Sequence, residues 1–229
     1  MIFCPRFQGA ALLRIIEKRG MMIIMSKYSN YYNEVITIER DSIGDLLETL
    51  DKGVMDRIVD LLLAARQNGK KVLTAGCGTS GIAAEKIAHT LTVVGVPAFF
   101  LSPGLSAHGG FGVVQEGDIV VLLTKGGNTQ EIIDYIPACK ERGATIIGVT
   151  QNEDSILGKN CDILFKVKVE REPCPWNLIA TGSALAIMSA WDAISFTIMQ
   201  EHGLTKEEFY LTHPGGGAGE KLREDFSGR

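Results

Sequence analysis

The sequence predicts an α/β fold, one doubly wound domain built on five central parallel strands. Three observations predict it. Short apolar runs alternate with helical stretches of about 10–15 residues, the signature of crossover units joining parallel strands. One run, DIVVLLT at 118–124, is apolar almost throughout, which suits a strand covered on both faces. With 229 residues, 45% of them hydrophobic and 22% charged, the chain can bury a sizeable core and is not a disordered polymer.

The elements follow in order. Residues 1–27 read as an N-terminal extension, either an upstream piece or a docked terminal helix. Arg6, Arg14, Lys18 and Arg19 interrupt its short apolar runs, and no cleavage site follows a proper apolar core, so no signal peptide is expected. From 28 to 68, Ile43, Leu46, Leu47, Leu50, Val54, Ile58, Leu61 and Leu62 recur at intervals of three or four, the apolar face of a helix or helix pair that Gly69 closes. Strands are expected at 71–75, 97–101, 118–124, 145–150 and 161–167. Helices are expected at 82–94, 131–142, 177–202 and 206–210. No linker or repeat divides residues 28–229, so they are taken as a single domain that includes the N-terminal helices and the HPGG tail.

Charge and cysteine usage narrow the function. Lys and Arg total 23 against 27 Asp and Glu, a net charge of -4, so the chain has no general attraction for nucleic acid or anionic membrane. No run of about 18–20 apolar residues stands out as a membrane span. The five cysteines are widely spaced, without a Cys-x-x-Cys pair, which predicts reduced thiols in a cytoplasmic protein and no zinc or other metal site.

Two strand-to-helix turns carry the chemistry. The first, GCGTSG at 76–81, has the G-x-G-x-x-G spacing of a dinucleotide cradle. The second strand, PAFFL, ends without the acid that would hold a ribose. Gly78, Thr79 and Ser80 instead suit a compact phosphate at a helix N-terminus. The alternative is an ordinary bend with Thr79 and Ser80 as helix caps. The second turn, TKGGNTQE at 124–131, offers Thr124, Gly126, Gly127, Asn128 and Thr129 at the same edge of a parallel sheet. Two such turns on one edge point to a small phosphorylated ligand.

The stretches AFFLSP…AHG, VEREPCP and HPGGGAG, together with both turns, resemble the sugar isomerase (SIS) domain family, in its arabinose-5-phosphate isomerase branch, over residues 71–222. The resemblance implies a flavodoxin-like sheet, a homotetramer, no cofactor, and conversion of D-ribulose 5-phosphate to D-arabinose 5-phosphate. It implies functional roles for Thr79, Ser80, His108, Glu131, Glu172 and His213. Glu172, tuned upward by partial burial, is expected to move the carbon-bound proton, and His213, from its own or a neighbouring subunit, to assist at oxygen; the roles could be exchanged. His108 is expected to bind substrate hydroxyls or a divalent ion. Glu131 is equally explained as a helix-dipole partner, and Glu172 by itself as a solvated charge. Two departures stand out: the family's first-turn Lys is Thr79 here, and its acid after His-Gly is Gly110. The chain's end at Arg229 predicts a protein without the paired CBS modules of many relatives. A different sugar phosphate (hexulose or heptose), or a non-catalytic phosphosugar sensor, are the rival readings.

Overall fold

A computed structural model describes residues 15–18, 21–24 and 27–227. Strands β1 (Ile15–Lys18) and β2 (Met21–Ile24) pair antiparallel, in place of a terminal helix there. The expectation of no signal peptide falls mainly on residues 1–14, which lie outside the described residues. Helices α1 (Ser29–Gly44), α2 (Leu46–Thr49) and α3 (Lys52–Gln67) follow. The predicted 28–68 helical region is thus three pieces, with Asp51 capping α3 by accepting from the Val54 N–H at 3.1 Å.

The main sheet holds β3 (Val72–Gly76), β4 (Ala98–Phe100), β5 (Ile119–Leu123), β6 (Thr145–Thr150) and β7 (Ile163–Lys166). All its pairings are parallel, in the order β4-β3-β5-β6-β7. Counted from β3, that is the flavodoxin-like order 2-1-3-4-5, whose switch point lies between β3 and β5. The crossovers carry α4 (Thr79–Val93), α5 (Pro103–Ser106), α6 (Gln130–Ile133), α7 (Tyr135–Glu141) and α8 (Ile156–Asn160). The long α9 (Gly182–Glu201), then α10 (Lys206–Thr212) and α11 (Gly216–Phe226), complete the chain.

Side-chain alternation along the strands builds two cores. Val121, Leu123, Ile147, Val149 and Phe165 face α3, α4 and α9, with Trp191 fully buried among them. Leu73, Val120, Leu122 and Ile146 face α6, α7 and α8. Helices therefore cover both faces, and β5 is buried at every position, as its continuous apolar run predicts.

Several expectations are corrected. The helix expected from 177 starts only at Gly182, because Asn177 adopts a φ of 56° and the preceding loop folds around Cys174. The helix expected over 131–142 breaks at Asp134, with Pro137 in its second piece. The HPGG tail continues into α11, which the glycines concealed. Finally, α9 is long and apolar enough to cross a membrane by composition, but half of its apolar window is buried and it packs in the core.

Candidate functional site

Both turns leave adjacent strands, β3 and β5, at their carboxyl ends, so they sit side by side at the switch point. In the first turn Gly78 is the N-cap of α4, with no side-chain cap. Thr79 and Ser80 are thus the first helical residues and do not serve as N-caps. Gly76 is required for close approach: a Cβ there would lie 2.5 Å from the Ser80 carbonyl oxygen. Cys77 lies inside this turn, where a helix N-terminus by itself would lower a thiol pKa. Burial, with the nearby Glu131 charge, instead pushes its thiol up.

The second turn is braced internally. The Thr124 and Thr129 hydroxyls lie 2.7 Å apart, and Asn128 Oδ1 accepts from the Ile156 N–H at 2.9 Å. Gly127 has a φ of 75°, and a Cβ there would fall 1.9 Å from Ser155 Oγ. Asn128 and Thr124 therefore shape the turn. Gly126, exposed beside them, stays open to a ligand.

Glu172 is not the solvated charge that its VERE context permits. Its side chain is 0% exposed and accepts four hydrogen bonds. Lys125 Nζ donates to Oε1 at 2.6 Å, and the Ser183 hydroxyl donates to the same oxygen. The backbone N–H groups of Thr181 and Ser183, at the N-terminus of α9, donate to Oε2 at 3.0 and 3.3 Å. Burial alone would raise this carboxyl, but the Lys125 ammonium and the Ser183 hydroxyl and N–H outweigh it and hold it below the usual range. The upward tuning expected from burial is thus reversed. Residue 172 also belongs to the wall of a cleft of about 680 Å³, with Tyr31, Val35, Arg171, Cys174 and Thr181.

Lys125, Thr181 and Ser183 were missed from sequence. Each lies at the sheet's carboxyl edge, immediately after a strand or at a helix start, where ligand-facing groups gather. A Lys directly after an apolar strand was the available signal.

The remaining candidates lie elsewhere. Glu131, exposed at the start of α6, lines a second cleft of about 320 Å³ with Ser106, Phe111 and Tyr135. His108 is exposed in the loop after Ala107, another residue of that cleft's wall. At Gly110 a Cβ would lie 2.8 Å from the Leu105 carbonyl oxygen, so this loop conformation leaves no room for a side chain there.

His213 does not meet Glu172 within the chain. It caps the end of α10 and stacks on Phe209 with ring centroids 3.8 Å apart. Its Nδ1 lies 3.0 Å from Thr212 Oγ1 and 3.1 Å from the Phe209 carbonyl. The 20 residues of α9 carry the backbone roughly 30 Å from Ser183 before α10 begins. The seven residues of α10 climb only about 10 Å, and the His213 ring at its end is held against that same helix. No hydrogen bond joins Glu172 and His213 among the described residues.

Residues 67–195 match the SIS domain family. The arabinose 5-phosphate isomerase KdsD of Francisella tularensis is 30% identical over 88% of this chain and 62% of its own length. The enzyme of the same name from Pseudomonas aeruginosa is 35% identical over 82% of this chain and 56% of its own. The chain thus spans about six-tenths of the length of these curated relatives. Among solved structures, a candidate sugar-phosphate isomerase from Listeria monocytogenes superposes with a TM-score of 0.80 and 39% identity, covering 83% of this chain and all of the other. An Escherichia coli CFT073 protein in complex with A5P superposes with a TM-score of 0.76 and 26% identity, covering 81% of this chain and 96% of the other.

Proposed function

The chain belongs to the SIS domain family, and from that premise we propose that it is a phosphosugar aldose–ketose isomerase interconverting D-ribulose 5-phosphate and D-arabinose 5-phosphate. The observation that carries this reading is the ionised, buried Glu172 paired with Lys125 at the sheet edge where both Gly-rich turns lie. The relatives named arabinose 5-phosphate isomerase, and the related structure holding A5P, support the same substrate class.

The chemistry is a proton transfer between adjacent carbons. A base removes the proton on C1 of the ketose, the C–H electrons form the C1–C2 double bond, and negative charge collects on O2. Returning the proton to C2, while O1 loses its proton and O2 gains one, gives the aldose. Glu172 is ionised, as a base must be, and can accept the carbon-bound proton once one of its four donors withdraws. Thr79 and Ser80, with the open N-terminus of α4 and with Gly126, hold the phosphate. Glu131 and His108 lie on the second cleft's side, suited to the sugar hydroxyls.

His213 enters from a second copy of the chain, within a homotetramer of domains spanning residues 28–229. Exposed Tyr31, Tyr32, Ile36 and Leu47 on α1 and α2 supply an apolar face for such packing. No cofactor is invoked, and solution in the cytoplasm is the setting.

The test is ribulose 5-phosphate in deuterated water, with arabinose 5-phosphate formation and C1/C2 proton exchange followed by NMR. Wild type should exchange, and His213→Ala should lose about 10²–10⁴ in rate, the usual scale of an acid–base group. Absence of exchange with pentose, hexose and heptose phosphates removes the reading, and binding without exchange favours a sensor.

A further inference from the structure

We propose that Lys125 is a catalytic residue, whose ammonium moves a hydrogen bond from Glu172 to the substrate's reacting oxygen as the enediolate forms. This rests on the isomerase reading above.

Glu172 cannot act as a base in the arrangement described. Each of its oxygens already accepts two hydrogen bonds, and its side chain is wholly buried. One donor must leave before a carbon-bound proton can be accepted. Three of the four donors belong to the α9 N-terminus: the N–H groups of Thr181 and Ser183 and the Ser183 hydroxyl. The two N–H groups are fixed by the backbone, and the short Ser183 side chain is buried.

Lys125 differs from them. Its side chain is 28% exposed, and it carries three N–H donors on a flexible four-carbon stem. Its backbone is anchored, since its carbonyl accepts from Thr150 Oγ1 at 2.9 Å and the Gln151 N–H at 3.2 Å. The stem can therefore swing about a fixed root.

The move does two things at once. Releasing Oε1 removes the strongest charge-assisted bond that suppresses the basicity of Glu172. Placing the ammonium at the substrate's O2 stabilises the charge that develops there when the proton leaves C1. The proton goes to Glu172, the C–H electron pair forms the C1–C2 double bond, the carbonyl π pair moves onto O2, and no further reactant is needed for this step. The first turn offers no cation for this task, because Thr79 and Ser80 are neutral.

The test compares wild type, Lys125→Met and Lys125→Ala in the exchange assay, with thermal melts to confirm folding. Lys125→Met should lower kcat by about 10²–10³-fold, the scale of a lost oxyanion donor, with KM changed far less. Ethylammonium should restore part of the rate of Lys125→Ala, and ethanol should not. A folded Lys125→Met that keeps its kcat within about threefold overturns the inference while leaving the isomerase reading intact. So does a variant that loses affinity for inorganic phosphate but not kcat, or a Lys125→Ala that ethylammonium does not rescue. A wild type that exchanges no proton overturns both.

Discussion

Replacing Glu172 with Gln isolates how much of the fold hangs on one ionised carboxylate. Four donors converge on its two oxygens. A Gln amide accepts at only one atom, so its NH₂ must face either the two backbone N–H groups or the Lys125 ammonium and Ser183 hydroxyl. Two charge-assisted bonds are lost, each worth about 1.5–3 kcal/mol. Breaking one member of a buried ion pair costs about 3–5 kcal/mol by itself. Because Lys125 is 28% exposed, solvent rehydrates it in part, which favours the lower end. At about 2–4 °C per kcal/mol for a chain of this size, the melting temperature should fall by roughly 6–20 °C. The pH dependence follows from the lowered carboxyl. The unfolded group titrates near its ordinary value of 4.5 and the folded one below it. The stabilisation is therefore complete above the unfolded value and lost as pH falls through the folded one. Urea melts of wild type and variant should differ most near neutral pH and draw together as the pH falls below the ordinary carboxyl value of 4.5. Equal stability at neutral pH, or a gap that widens on acidification, refutes this account of Glu172.

Other sites give sharper local outcomes. Gly127→Ala places a methyl group 1.9 Å from Ser155 Oγ at a φ of 75°, so it should cost at least about 2 kcal/mol in urea unfolding. The four cysteines in the described region should label unequally. The backbone N–H groups of Ile179 and Leu178 donate to the Cys174 sulfur and hold its thiol below the ordinary value, while burial pushes Cys139 up to about 12 and raises Cys77 and Cys161. Iodoacetamide near neutral pH, read by peptide mass spectrometry, should modify Cys174 first and Cys139 only on unfolding.

What could be read from the residues depended on how local the physics was. The five strands and the two turns were legible because period, apolar runs and Gly-rich bends act within a few residues. Helix boundaries were less so: nothing in EPCPWNLIATG announces that Cys174 gathers backbone N–H groups and delays α9 to Gly182. The resemblance pointed to Glu172, but its environment was invisible, because its partners are 47, 11 and 9 residues away along the chain. Burial alone suggested a raised carboxyl, and only the assembled helix N-terminus and Lys125 reverse the sign. The same distance explains why Lys125 escaped notice beside the first turn's missing cation. A charge at the end of β5 is adjacent in space to the strand that ends at the first turn, so the sheet order makes the two positions neighbours at one edge. A site that lacks a cation on one turn can carry one on the next without any change in fold.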